Sequence, residues 1–507
     1  MNRPISLEPQ YLSTGSEWTF DLLQEYDHRI HGIAANEFKL DTYPNQIEII
    51  ASEQMLDAYA SLGLPIGYPH WSHGKEFIRN EQAYRKGARG LAYEIVINSN
   101  PCISYLMEEN TMAMQALVIA HACYGHNSFF KGNYLFRQWT SADTIIDYMV
   151  FARNYVMRCE EQYGAERVEQ VLDSCHALMS HGVDRYHRPE PLSVEEERDR
   201  QREREAHAWK QFDDLWRTVP RRPGQVPPAQ AGKFPQEPQE NLLYFIEKYA
   251  PKLEPWQREL VRIVRKTAQY FYPQGLTKVM NEGWATFWHY TLLQRMFDLR
   301  LVDAGFMLEA LATHTQVTTQ PGYDSRGYSG INPYALGFAM MRDLRRICEE
   351  PTDEDRAWFP DIAGGDWLKV LDFAMRNFKD ESFIGQFLSP KLMREFHLFA
   401  VADHEGAETY SVDAIHDEHG YRRLRRLFAA QYNRDMQVPD IQIVNFDLRG
   451  DRSLLLRHQR HRGRPLTEES GEVLKHIARL WGFTVRLESC GENGKLIDIR
   501  EAKPPSD

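Results

Sequence analysis

A chain of 507 residues, 42% of them hydrophobic, holds enough apolar material for two or three cores of ordinary domain size, which excludes an intrinsically disordered protein. Its formal net charge of -12 opposes general attachment to a nucleic-acid backbone or an anionic membrane, so no nucleic-acid partner is expected. Cys102, Cys123, Cys159, Cys175, Cys348 and Cys490 stand singly with no CxxC pair, the pattern of a reducing compartment, and the expected location is cytoplasmic.

Along the chain, Met1–Ser16 is polar and carries no basic region followed by an apolar run, so it does not read as a secretory signal. Ala116–Ala120 is the most apolar helical stretch and is too short to cross a bilayer, so no transmembrane segment is expected. From Trp18 to Tyr186 apolar residues recur at three- and four-residue spacing, clearest over Ala142–Tyr163 and Val168–Met179, which predicts a helical module over 1–187. A linker over 188–240 follows, built from a charged helix at Glu195–Lys210 and from Pro220, Pro223, Pro227, Pro228, Pro235 and Pro238.

Helical periodicity returns over 241–432, in Trp256–Tyr270, Val279–Arg295, Ala335–Ile347 and Trp367–Arg376, and predicts a second module packed on the first. Turns at Gln320–Tyr323 and Ser329–Pro333 separate its helices. The last part, 433–507, mixes β-type runs at Ile441–Val444, Ser453–Leu456, Thr484–Leu487 and Leu496–Ile499 with a helix near Glu468–Leu480, a small α+β domain. The expected fold class is mainly α, a large helical body with that α+β appendix. The basic run Arg457–Arg464 reads as a solvated turn, because it is short and has no interleaved aromatics.

Two segments carry candidate chemistry. In the first, an apolar helix delivers His121, passes Gly125 and presents His126, a way to converge two imidazoles on one metal, with Cys123 between them as a further ligand to weigh. The interval is five residues, about 140° around an ideal helix, against about 40° for the four-residue interval of HExxH. Ala122 also stands where that motif places its general base. The two rings can share a metal only if the helix distorts or ends near Gly125. In the second segment Glu282 and His289 are seven apart and project from nearly one helix face, suited to a metal ligand with a nearby acid or base. Some zinc peptidases take a third ligand from a downstream helix, and Glu282-Gly283-Trp284-Ala285 is similar to such a segment. The competing reading is that these residues are packed and hydrogen-bonded in the core. His70 and His73 could also converge, or simply follow a turn after Pro69. Glu108-Glu109 and Asp380-Glu381 read as caps or surface charges, since neighbouring side chains diverge by about 100°. There is no Walker loop, no GxGxxG after a strand and no GxSxG elbow, which leaves nucleotide binding and an α/β-hydrolase triad unsupported.

His121–Phe130 and Asn281–His289 resemble the signature segments of the stage V sporulation protein R (SpoVR-like) family. The likeness continues through Leu40–Pro44, Tyr68–Ser72, Tyr93–Pro101, Gly330–Phe338 and Asn445–Ser453, from about Trp18 to about Ile499. His73 departs from it, standing where the family has an aromatic. The resemblance implies a bacterial protein of a stress or sporulation pathway, tied in spore formers to the spore cortex, a peptidoglycan layer. It also implies a serine protein kinase and a protein with a von Willebrand-type domain as partners. Two functions follow. One is a zinc-peptidase-like hydrolase of an amide, with His121, His126 and Glu282 as zinc ligands and Glu282 or His289 as the catalytic base. The other is a non-enzymatic scaffold or regulatory partner of the kinase system.

Overall fold

Polar residues placed just before apolar runs start the helices. Thr111 accepts the amide of Met114 ahead of Met112–Val118, and Asn332 accepts that of Tyr334 with Pro333 at the first helical position. The structure, a computed structural model, describes residues 11–60, 66–68, 70–71, 94–185, 234–235, 237–402, 411–414, 417–433, 437–447, 450–461 and 464–505. The expected charged helix Glu195–Lys210, the prolines from Pro220 to Pro228, and His73 lie outside them. Among the described residues no helix is long and apolar enough to cross a membrane.

The chain divides into two compact units that do not follow chain order, Met1–Leu172 with Lys266–Val438, and Asp173–Arg265 with Pro439–Asp507. This redraws the expected modules 1–187, 188–240, 241–432 and 433–507. The reason lies in helix Pro255–Leu276, whose two halves serve different cores. Arg262 and Arg265 in its first half pair with Glu247, while Tyr270 in its second half packs with Ile97, Ile145 and Met149.

In the first unit the helices that matter for the site are α1 (Phe20–Gly32), α2 (Met112–Val118), α3 (Asn127–Gly132), α4 (Lys278–Asp298), α5 (Ala304–Thr318) and α6 (Pro333–Glu349). Between α2 and α3 runs a π-helical segment, Ile119–His126. To the mostly helical N-terminal part that was expected, the structure adds a mixed sheet of β1 (Asn45–Ile50), β2 (Glu94–Ile97) and β3 (Cys102–Met107). Its order is β1-β3-β2, with β1 parallel and β2 antiparallel to β3. Residues of β3 alternate in burial from Cys102 to Leu106, a period-2 signal that broad helical patterning hid. A short antiparallel pair, β4 (Ala400–Ala402) and β5 (Ser411–Ala414), completes this unit's strands among the described residues.

Helix α4 is clasped on two sides by close backbone contacts. A Cβ on Gly125 would lie 2.5 Å from Ala285 Cα, and one on Gly283 would lie 2.4 Å from the Gly337 main chain. The π segment and α6 therefore approach α4 closer than side chains would allow, and Glu282 is carried between them. Asp380, expected as a cap or surface charge, is buried and accepts the amides of Val279 and Met280, both at 2.8 Å, at the start of α4.

The second unit holds β6 (Asp440–Phe446), β7 (Leu454–Gln459), β8 (Val485–Cys490) and β9 (Leu496–Ala502) in that spatial order. β7 and β8 are parallel, which requires a crossover, and helix Ser470–Trp481 provides it. Helix Leu242–Tyr249 joins this core by stacking Phe245 on Trp481, their ring centroids 5.9 Å apart. The basic run is only in part a turn: Arg457, His458 and Gln459 end β7, Arg457 pairs with Glu488 at 2.8 Å, His461 meets Asp440 at 2.9 Å, and Arg462 and Gly463 lie outside the described residues. Sheet neighbours answer these charges.

Candidate metal centre

The five-residue interval between His121 and His126 matches the local backbone. In a π-helix the hydrogen bond reaches back five residues, and the amide of Asn127 accordingly donates to the Ala122 carbonyl. His121 and His126 stand one such turn apart, with ring centroids 4.7 Å from each other. The helix distorts without ending, and the separation that counted against a shared metal is removed.

The ε-nitrogens of both rings face carboxylates. Glu94, at the start of β2, sets its Oε1 3.1 Å from His121 Nε2 and 3.7 Å from His126 Nε2. The ligand atoms of Glu94, His121 and His126 all lie within 4.8 Å of one another. From the opposite element, α4, Glu282 Oε2 lies 3.5 Å from His126 Nε2 and 3.9 Å from His121 Nε2. That oxygen is buried and has no hydrogen-bond partner. A tetrahedral ion with bonds near 2.0–2.1 Å holds its ligand atoms about 3.4 Å apart, and the two separations of Glu94 Oε1 from the ε-nitrogens, 3.1 and 3.7 Å, bracket that value.

The δ-nitrogens are occupied. His126 Nδ1 lies 3.0 Å from Asn281 Oδ1, an amide oxygen that can only accept, so the ring proton sits on Nδ1 and the Nε2 lone pair faces the carboxylates. His121 Nδ1 lies 2.9 Å from His289 Nδ1. Both rings are almost wholly buried, at 5% exposure for His121 and 6% for His126. Burial first, then the neighbouring rings of His126 and His289, pulls His121 well below its ordinary value, so it is neutral and able to ligate at neutral pH. Burial first, then the charge of Glu282, pushes the Glu94 carboxyl well up. A divalent cation would reverse that pressure by neutralising both carboxylates. The converging group, Glu94, His121 and His126, is a mixed nitrogen and oxygen set that suits zinc, iron or manganese, and Glu282 Oε2 faces it from α4.

Of the residues singled out in the sequence, the structure brings His121, His126 and Glu282 together. It places His289 behind His121, with Nδ1 spent on that ring and Nε2 2.8 Å from His314 Nδ1. Both ring nitrogens of His289 are therefore engaged by other histidines, and it lies outside the converging group. Cys123 is buried in the π segment, burial raises its thiol well above the ordinary range, and it is not in the converging set. His70 and Trp71 rings lie 5.6 Å apart, remote in sequence from this cluster. Sequence reasoning missed Glu94 and His314. Glu94 could have been found as a carboxylate opening the β-branched run Ile95-Val96-Ile97. His314 could have been found because it continues the buried stripe of Met307 and Ala310.

With this geometry in place, the likeness to other proteins can be set out. Residues 17–437 match the family described as "SpoVR like protein", and residues 439–492 match "SpoVR-like C-terminal domain". The junction between the two matches coincides with the return of the chain into the second unit at Pro439. The chain is 60% identical over 494 residues, covering 97% of it and 96% of the relative, to the Escherichia coli (strain K12) protein that bears the name "Uncharacterized protein YcgB". No solved structure matches. Matched over nearly its whole length, the chain is a member of the SpoVR-like family.

Proposed function

We propose that this chain is a metal-dependent hydrolase of an amide bond, with a zinc-peptidase-like division of labour. His121, His126 and Glu94 hold the ion, and Glu282 serves as general base. The observation that carries this reading is the buried, unpartnered Glu282 Oε2 facing the two ε-nitrogens, 3.5 and 3.9 Å away. A bound zinc ion would polarise the substrate carbonyl and acidify the attacking water. Glu282 Oε2 takes a proton from that water and returns it to the departing nitrogen. His126 is held in register by Asn281 and His121 by His289, so neither ring has to reorganise during the reaction.

On this reading the reaction serves a cytoplasmic stress or sporulation pathway of bacteria, bordering on the spore cortex and cell envelope, a role that the family resemblance suggests. The amide then belongs to a peptide or a cell-wall precursor, and a serine protein kinase with a von Willebrand-type-domain protein acts alongside. The test is metal content by mass spectrometry on protein purified without a metal-affinity tag, set beside a His121→Ala/Glu94→Ala double variant. Stoichiometric zinc, iron or manganese lost in the variant supports the metal centre. Glu282→Gln should then keep the metal and lose amide hydrolysis by about 10²–10⁴-fold. No metal in either protein would overturn the hydrolase and leave the scaffold or regulatory partner of the kinase system as the better reading.

A further inference from the structure

We propose that the open edge of the second unit's sheet is a self-association surface, on which β9 pairs antiparallel with β9 of a second copy of this chain about a two-fold axis at Ile499. The proposal concerns the second unit alone and does not depend on the metal centre.

The two edges of the sheet β6-β7-β8-β9 are finished differently. On the β6 side, Gln239 exchanges two main-chain hydrogen bonds with Ile443, at 2.9 and 2.8 Å, and the Phe446 amide donates to the Phe234 carbonyl, so a strip of chain covers that edge. On the other side, no strand or bridge lies beyond β9 among the described residues. An uncovered edge presents its amides and carbonyls as a template for a further strand. β9 is seven residues long, holds no proline, and shifts register against β8 only at its start, so Asp498–Ala502 runs regularly. The exposed side chains of its neighbours are answered by ion pairs, Arg457 with Glu488 and Arg486 with Glu501, whereas Ile497 and Ile499 of β9 are 54% and 55% exposed.

The charges on β9 select the occupant and the register. Two copies related by a two-fold axis perpendicular to the sheet keep every residue on its own face, so the residue on the axis stands opposite itself. With Asp498, Arg500 or Glu501 on the axis, like charges meet directly. With Ile497 there, Asp498 falls opposite Leu496, and Arg500, Glu501 and Ala502 run past the end of the facing strand. With Ile499 on the axis all seven residues pair, Ile499 meets its own counterpart, and Asp498 stands opposite Arg500 of the second copy at two symmetric places. The register that uses the whole strand is thus the one that matches its charges. Within one chain Arg500 Nε donates to Asp498 at 3.2 Å and Nη1 to the Thr467 carbonyl at 2.8 Å, which fixes the guanidinium beside the strand while both side chains stay partly exposed.

A seven-residue strand pair buries less than a standard interface of about 1,600 Å², so the expected dimer is weak, with a dissociation constant of about 10–100 µM. The experiment is sedimentation equilibrium of the full chain through that range, and a native chain that stays monomeric overturns the proposal. Asp498→Arg sets an arginine against Arg500 of the second copy, and Arg500→Asp sets an aspartate against Asp498, so each variant alone should self-associate about tenfold more weakly or worse. An equimolar mixture of the two restores opposite charges at both places and should associate within about threefold of the native chain. Single variants that self-associate as tightly as the native chain, or a mixture no tighter than its components, overturn the pairing. Ile499→Lys changes an exposed side chain, leaves Arg500 and Asp498 in place and puts two lysines on the axis, so it should also weaken the dimer by about tenfold. Unchanged association in that variant overturns the register.

Discussion

Two carboxylates in different units show how differently a folded chain can treat the same chemical group. Glu247, in the second unit, is 2% exposed and is met by Arg265 at 2.9 Å, Lys248 at 2.9 Å and Arg262 at 3.1 Å. Burial would raise its pKa, but those cations outweigh it and hold the carboxyl below its ordinary range. Glu282, in the first unit, meets no lysine or arginine at ion-pair distance among the described residues. Its neighbours are two imidazoles, one of them held neutral by burial, and its own charge raises the pKa of Glu94. Desolvating an ion costs several kcal/mol, and among the described residues no lysine or arginine offsets that cost at Glu282. The first carboxylate is answered by cations of its own unit, whereas the second is left facing imidazoles and another carboxyl.

The largest effect that could break this contrast is on metal affinity. His126→Ala should lower zinc affinity by about three orders of magnitude in an isothermal titration, while Glu247→Ala leaves it unchanged. Equal losses would mean that both variants merely unfold the protein. Next comes a difference in sign. With metal chelated, Glu247→Gln should destabilise the protein in urea by about 3 kcal/mol, because it strips Arg265 of its buried partner. Glu282→Gln should stabilise it by about 1 kcal/mol by removing a like charge from Glu94. A loss of stability in both would erase the distinction.

Smaller effects should follow from the helix contacts. Gly125→Ala pushes a methyl group against Ala285 and should cost about 1–3 kcal/mol, with zinc affinity falling because the π segment carries His121 and His126. The weakest expected effect concerns acid. Asp355, although burial opposes it, is held at about 2 by hydrogen bonds from Arg346 and Thr352, against an ordinary value of 3.8. A carboxyl depressed in the fold contributes stability that is full above about pH 4 and is lost as pH falls toward about 2. Asp355→Asn should flatten the stability profile in that window and nowhere else, as read by urea unfolding at several pH values.

Much of the fold was legible because its signals are local. Val279–Arg295 and Ala335–Ile347 carry apolar stripes that fall inside α4 and α6, and Asn332-Pro333 marks the start of α6. The four runs of the C-terminal part match β6 to β9 for the same reason. What escaped depended on contacts between distant segments. Three short strands of the first unit pair across long stretches of chain, Asn45 beside Cys102 for one, and their period of two is brief enough to pass for noise. Helix Pro255–Leu276 reads as one amphipathic element, and nothing in its own pattern says that its halves serve separate cores.

At the site, His121, His126 and Glu282 could be proposed from residue type and spacing. The exclusion of a shared metal on a regular helix was sound geometry, and it pointed to the distortion that the structure contains. Glu94 and His314 were out of reach for a different reason. One is 27 residues before His121 and sits on a strand, the other is 25 residues after His289 on another helix, and only tertiary packing relates them to the ligands.

A π turn holds one residue more than an α turn, so Ile119–His126 has the form of a single-residue insertion within an otherwise ordinary helix. Removing one residue there would return the helix to α geometry but rotate everything beyond it by about 100°. Asn127 would leave the Tyr43 main chain, which it now grips through two hydrogen bonds of 2.8 and 2.9 Å, and Ser128 would leave the indole of Trp284. The length of this stretch is therefore locked from both sides. A descendant of this chain can exchange its residues more easily than it can change their number.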